Sequence, residues 1–190
     1  MMAMMGDRGI QGIRWAGLVG ASWLVLSGAG GAADPAHLEQ LLATGACPRC
    51  DLAGADLRRL DLREANLEQA NLTNANFYRT NLTDADLSGA DLTGAYLAET
   101  TAIAANFNSA KLADTILYEV DFTNASFDNT RFGNAYIEYA RFNNARLMTA
   151  DLSDIILVSA DFAGAQLCGA TMHYGDYRHD CAIAAPTEGD

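Results

Sequence analysis

Basic side chains are scarce in this chain. Lys and Arg together number 12 against 24 Asp and Glu, a formal net charge of −12. That balance argues against direct contact with nucleic-acid phosphates or an anionic membrane surface, and leaves a basic partner or plain solubility as its use. Catalytic patterns are missing too: there is no Gly-rich phosphate loop, no Ser/His/Asp set on a supporting pattern, and no Cys beside a base. The many Asp residues recur at a fixed spacing, so any two chosen as acid and base would be arbitrary. Metal ligands are thinly spread. Cys47 and Cys50 have only His37 near them, while Cys168, Cys181, His173 and His179 stand at the far end of the chain, and a zinc site needs about four ligands together. The expectation is a protein with no enzymatic activity, no cofactor and no metal.

What the chain has in abundance is repetition. From Cys50 to about Tyr174 it repeats every five residues: Ala55-Asp56-Leu57, Ala65-Asn66-Leu67, Ala85-Asp86-Leu87, Ala90-Asp91-Leu92. Stepping by five from Leu52 to Met172 meets 15 Leu, 7 Phe, Ile137, Met172 and a single small residue, Ala102. Two residues earlier the same series holds Ala 17 times. A helix repeats its apolar face every 3.6 residues and a strand every 2, so neither keeps a five-residue period on one side. A chain that turns a corner every five residues does. One large and one small residue of each pentad then point inward, and the units bury that surface by stacking on their neighbours.

This pattern resembles the pentapeptide-repeat family, whose motif is A(D/N)Lxx, over about two thirds of the chain. The resemblance implies an all-β fold, a right-handed quadrilateral β-helix with four pentads per coil. On that geometry the repeats make about six coils, a shaft roughly 30 Å long at the spacing of stacked strands. The organisation expected is a signal peptide over 1–33, an N-terminal cap helix and loop over 34–49, the β-helix over 50–174, and a C-terminal cap and acidic tail over 175–190. Arg8 and Arg14 precede the short apolar stretch Trp15 to Leu26 and the small-residue run Ser27 to Ala33, the order of a secretory signal, and the stretch is too short for a membrane span. Cleavage after Ala33 leaves 10 basic and 23 acidic residues, with no membrane span in the mature chain. The expected location is therefore exported, periplasmic or thylakoid-lumenal. Asp34-Pro35 reads as a helix start, with Leu38, Leu41 and Leu42 on one face of the cap.

With ends some 30 Å apart on that geometry, and no more than ~7 Å allowed between bridged Cα atoms, the disulfides expected are Cys47–Cys50 and Cys168–Cys181. The flanking sequences resemble those at the two ends of exported and lumenal members of the family. Cys47-Pro48-Arg49-Cys50 also resembles the CxxC of thiol–disulfide oxidoreductases, but it follows a short helix instead of opening one and has no βαβ pattern around it.

Four pentads per coil put residues twenty apart in one column. The columns Asp61, Asn81, Thr101, Asp121, Arg141, Asp161 and Asp51, Asn71, Asp91, Lys111, Arg131, Asp151 read as a solvated face with ion pairs. A third column differs: Asp56, Asn76, Tyr96, Ile116, Tyr136, Ile156. Its last four members are large and apolar where the motif has Asp or Asn, and Tyr118 and Val158 widen the strip. It is either an interface for a protein partner or a second copy, or a cross-strand ladder that stiffens the shaft. The pentad at Ala102 either turns Ile103 inward or leaves its coil under-filled. The function expected is a non-catalytic structural or interaction module. The alternative from the same family is an acidic rod that mimics DNA and binds DNA gyrase, and Lys111, Arg131, Arg141 and Arg146 interrupt the acidic series that reading needs. A CxxC thiol–disulfide protein is the second alternative.

Overall fold

Each pentad of the chain bends at one residue. In the computed structural model, which describes residues 33–172 and 175–176, every fifth residue from Arg49 to Thr149 has positive φ, as Gly54 does at 66° and Asn74 at 56°. The N–H that follows closes the turn: Ala55 donates to the Leu52 carbonyl at 3.0 Å and Ala75 to that of Leu72 at 3.0 Å. This is the geometry of a type II turn, which requires a left-handed third residue. Gly94, for instance, sits at φ +71° with Asn74 Oδ1 only 2.4 Å from where a Cβ would lie.

Between corners the chain pairs with itself twenty residues on, always in parallel. Asp51 pairs with Asn71, Asn71 with Asp91, Asp91 with Lys111 and Lys111 with Arg131. The bonds run along the stack, as when Leu72 donates to Asp91 at 2.7 Å and Asp91 to Ala70 at 3.0 Å. The result is a parallel β-solenoid whose interior is built from the central residues and the small residues two positions before them. Leu52, Leu67, Phe77, Leu87, Phe107 and Phe127 are all fully buried.

The residue before each central one explains itself. Asp or Asn there points outward and turns its Oδ1 back onto the N–H two residues ahead: Asn76 accepts from Tyr78 at 3.0 Å, Asp86 from Ser88 at 3.0 Å, Asp121 from Thr123 at 3.1 Å. This Asx turn satisfies a corner donor that the ladder leaves unused. Where Thr replaces the inward Ala, its hydroxyl finds a carbonyl. Thr80, Thr100 and Thr130 are buried and donate to Leu57, Phe77 and Phe107 of the preceding coil at 2.6–2.7 Å.

Aromatic rings fill the C-terminal half of the stack. Phe107 lies 5.0 Å from Phe127, Phe122 5.1 Å from Phe142, and Phe142 4.9 Å from Phe162, all stacked twenty residues apart. Ala102 points inward and is fully buried, while Ile103 stays half-exposed at the corner. The missing bulk lies at the level next to the Phe122 ring, which meets Phe107 edge-on at 5.5 Å. Of the two outcomes left open for this pentad, the inward alanine is the one observed.

Helix α1, Pro35–Thr44, lies at one end of the stack. Asp34 caps it by accepting from Ala36 N–H, Pro35 opens it, and Gly45 at φ 70° closes it. Leu41 joins the core, with Leu38 packed against it. The helix is tied to the first coil by Asp34 N–H to the Asp51 carbonyl and Asp51 N–H to His37 Nδ1, each at 3.0 Å. Extended strands are few: β1 Ile116–Tyr118, β2 Tyr136–Arg141, β3 Asp151–Leu152, β4 Ile156–Asp161, β5 Thr171–Met172 and β6 Gly175–Asp176. β1, β2 and β4 form one parallel sheet; β3 and β5 pair in parallel, and β6 runs antiparallel to β5.

Two expectations need correction near that end. The inward set does not stay closed: Leu157 is 39% exposed, and Phe162, Leu167 and Met172 are only half-buried. The twenty-residue register also slips in β4, where Glu138 pairs with Ser159 and not with Val158. The left-handed series, regular to Thr149, skips Asp154 and Ser159 before resuming at Gly164. Ile155 occupies the inward position that Ala fills in most pentads. A β-branched residue there, followed by Ile156, Leu157 and Val158, favours extended chain over the turn. The signal segment, Cys181, His173, His179 and the acidic tail lie outside the described residues.

Candidate interaction face

The sheet of β1, β2 and β4 coincides with the column that breaks the motif. Tyr96 bridges to Ile116 in parallel, Ile116 pairs with Tyr136, and Tyr136 with Ile156, so the four residues form one continuous line. Side chains that pack well on a pleated surface have replaced Asp and Asn, and the chain answers by running straight. None of the four can accept the corner N–H, so each level forgoes an Asx bond worth ~0.5–1.5 kcal/mol elsewhere. Nowhere else among the described residues does a large apolar side chain take this position.

The sequence-predicted strip is brought together, unevenly exposed. Ile116 is 41% exposed, Tyr96 38%, Ile156 56% and Val158 55%, while Tyr118 and Tyr136 are half-buried. Two aromatics of the same face went unrecognised in the sequence. Tyr78 stands 6.2 Å from the Tyr96 ring, and Tyr139, at a left-handed φ of 53°, meets Tyr118 edge-on at 6.0 Å. Each phase of the pentad that points outward on this side carries an aromatic at some level, so a search of all three columns finds them.

Carboxylates are interleaved with the rings. Tyr78 donates to Glu99 Oε1 at 3.0 Å and Tyr136 to Glu138 Oε2 at 2.6 Å. Hydrogen bonding to Glu119, with Glu138 and Tyr139 close by, pushes the Tyr118 phenol up to about 12. The same cause raises Tyr78 and Tyr136 above the ordinary phenol value. Arg79 completes the Tyr78 group, its guanidinium 4.9 Å from the ring centroid and its Nε 2.6 Å from Glu99 Oε2, which holds the Glu99 carboxyl below its usual range. Nearer α1, Arg58 forks onto Asp56 at 2.7 and 2.6 Å and lowers that carboxyl as well. Two shallow hollows lie here, one of about 350 Å³ between Asp56, Arg59 and Tyr78 and one of about 320 Å³ between Arg58, Tyr78, Tyr96 and Tyr118. Flat rings, hydrogen-bonded carboxylates and guanidinium groups lie side by side on this face.

The remaining sides carry ion pairs. Lys111 pairs with Asp91 at 2.8 Å, Arg141 with Asp121 at 3.1 Å, and Arg146 with Asp128. The Cα atoms of Cys47 and Cys50 are 5.4 Å apart and their sulfurs lie within bonding distance. Cys168 lies in the last described coil, and its expected partner, Cys181, lies outside the described residues. Among the described residues no group of three or more His, Cys, Asp or Glu is placed to hold a metal ion, and no helix is long and apolar enough to cross a membrane.

The family model for pentapeptide repeats matches residues 50–89, 80–117 and 115–154, more than half of the chain. The chain belongs to the pentapeptide-repeat family. Among solved structures, this pentapeptide-repeat protein is similar to HetL, a pentapeptide repeat protein involved in heterocyst differentiation regulation from the cyanobacterium Nostoc sp. strain PCC 7120. The two are 27% identical over 69% of this chain and 71% of HetL, with a TM-score of 0.50. QnrB1, a plasmid-mediated fluoroquinolone resistance protein, shares the fold at 18% identity and a TM-score of 0.50, over 66% of this chain and 67% of its own. Rfr23 from the cyanobacterium Cyanothece 51142 matches over 72% of this chain and 97% of its own, with 20% identity and a TM-score of 0.30. A search of curated proteins returned no match.

Proposed function

We propose that the protein is a non-catalytic interaction module, a shaft wound as a right-handed four-sided β-helix of about six coils that docks other protein surface along the Tyr96–Ile156 face. One observation carries the reading. Four levels in succession replace a stabilising Asp or Asn with Tyr or Ile, and three of the four, Tyr96, Ile116 and Ile156, are left exposed. Cross-strand pairing accounts for the contacts these side chains make with one another, and an interface accounts for the area they leave open to solvent. Site-specific photo-cross-linking in the native cells tests it. A photoreactive residue at Tyr96 or Ile116 gives a discrete adduct, and one at Asn106, on another side of the shaft, gives none. Equal labelling from both sides, or none from either, removes the reading.

The protein is exported on this account, supported by the order of residues 8–33 and by a Cys47–Cys50 pair positioned for oxidation. Intact mass from native cells, before and after reduction and alkylation, checks both points. A mass starting near Asp34 with blocked thiols supports export. A full-length mass with free thiols overturns it. An acidic DNA mimic that binds a topoisomerase is weighed down by Lys111, Arg141 and Arg146, whose charges neutralise Asp91, Asp121 and Asp128.

A further inference from the structure

We infer that the occupant of this face is the same face of a second copy, with the two shafts antiparallel. The inference rests on the reading of the face as an interaction surface and names its partner. Charge is ordered along the strip. Arg58, Arg59 and Arg79 stand toward α1 with Asp56, onto which Arg58 is forked, as the only carboxylate beside them; Glu99 lies in the middle and is already held by Arg79, and Glu119 and Glu138 follow, with no cation among the described residues paired to either. A strip that is basic at one end and acidic at the other is complementary to its own reverse.

A two-fold axis brings residue i of one copy to residue j of the other and j to i. Let it lie in the interface, perpendicular to the shafts, at the level of Tyr96 and Ala98. Levels one step above and below then face each other, within the same column. Arg79 meets Glu119, and Arg58, two steps out, meets Glu138. Arg59 meets the exposed Tyr139 ring, a cation–π pairing of the type Arg79 already makes with Tyr78. Each of these contacts occurs twice, and at the axis the two Tyr96 rings come together beside the two Glu99 carboxylates, each held by the Arg79 of its own copy. Half a step toward β4, Glu99 opposes Glu119 twice and Arg79 faces Tyr139 in place of a carboxylate. Half a step toward α1, Glu138 and Tyr139 are left uncovered. The arrangement at Tyr96 is the one that uses both remaining carboxylates; it covers the levels from Asp56 to Tyr136 and leaves Ile156 and Val158 outside the overlap.

Size sets the strength. Five levels at ~4.8 Å give a strip about 24 Å long, and two such strips bury on the order of 1,000 Å² in total, below the range of standard stable interfaces. The dimer is therefore weak, concentration-dependent and sensitive to salt, because its paired charges sit near solvent.

Sedimentation velocity on the purified chain, from about 1 to about 500 μM at low ionic strength, tests the assignment, with a dissociation constant expected in the micromolar range. Arg58→Glu or Glu138→Arg alone weakens association at least ~10-fold, about 1.4 kcal/mol. The combined variant regains it, since each pair is then reversed and not broken; a merely misfolded protein would not recover. Circular dichroism confirms that each variant is folded. A chain that stays monomeric throughout overturns the proposal, as does a dimer indifferent to both reversals or one that the combined variant does not restore. The photo-cross-linking separates this failure from that of the broader reading: an adduct at Tyr96 of twice the chain mass supports the second copy, and an adduct of any other mass keeps the face as an interface while discarding self-association.

Discussion

Tyr118 should hold its proton far into the alkaline range, and Glu119 is the reason. The phenol hydrogen-bonds to the Glu119 carboxylate, so ionisation removes the donor and sets a phenolate beside Glu119, with Glu138 close by. Both changes favour the neutral form. With the phenol at about 12 against an ordinary value of 10, at about pH 11 roughly one tenth of Tyr118 is ionised where roughly nine tenths of a free tyrosine would be. Glu119→Gln keeps a carbonyl acceptor but removes the charge, and should return part of the displacement. Carbon-detected NMR of the tyrosine rings, or ultraviolet phenolate absorbance with Tyr118→Phe as the assignment control, reads it directly. The sign for stability follows. A group whose proton is held more tightly in the folded state contributes stability below the unfolded value near 10 and loses it as pH rises through about 12. A Tyr118 that titrates near 10 in the wild type, or one unmoved by Glu119→Gln, would refute the described packing of rings and carboxylates.

Phe127 touches the rings of Phe107, Phe122, Phe132 and Phe142 at 5.0 to 5.6 Å, so Phe127→Ala should cost ~3–5 kcal/mol in chemical denaturation, while Ser88→Ala on the outside changes nothing measurable. Thr100→Val removes a buried hydroxyl whose acceptor, the Phe77 carbonyl, keeps its bond from Thr80 N–H, and should cost only ~1 kcal/mol. Gly94→Ala places a Cβ at φ +71° against Asn74 and should lower stability by ~1–2 kcal/mol in the same assay. Asp56 and Asp61 are held below the usual carboxylate range by Arg58 and Arg63, so the stability they add is present above about pH 4 and fades as pH falls through their lowered values. Arg58→Gln should flatten part of that acid limb in a pH series of thermal unfolding.

The repeat was legible because a five-residue period suits neither helix nor ordinary strand, and its phase never slips between Leu52 and Met172. That is why the sequence alone lines up the column Tyr96, Ile116, Tyr136, Ile156 and places Leu87 and Phe107 inward. Tyr78 and Tyr139 were harder to read: Tyr78 shares its phase with Tyr118 but stands beside Asn76, which keeps the motif, and Tyr139 occupies the left-handed corner, where no other aromatic falls among the described residues. The carboxylate pairing was hidden for a plainer reason. Whether Glu119 reaches a phenol depends on side-chain direction at a left-handed corner, which periodicity does not carry. The slip at Val158 had a signal in Ile155, a branched side chain in a slot otherwise mostly alanine. Its consequence, an extended segment with Leu157 left open, depends on how the neighbouring coil accommodates the bulk.

The most direct test of the central claim is hydroxyl-radical footprinting of the protein inside its native cells against the dilute purified chain. If the face is an interface, Tyr96, Tyr139 and Ile156 are oxidised markedly less in the cell, while Met148, about as exposed as Tyr96 but off the face, is unchanged. Equal oxidation of the strip in both settings would mean that the exposed rings only line the shaft, and the interaction account would fall.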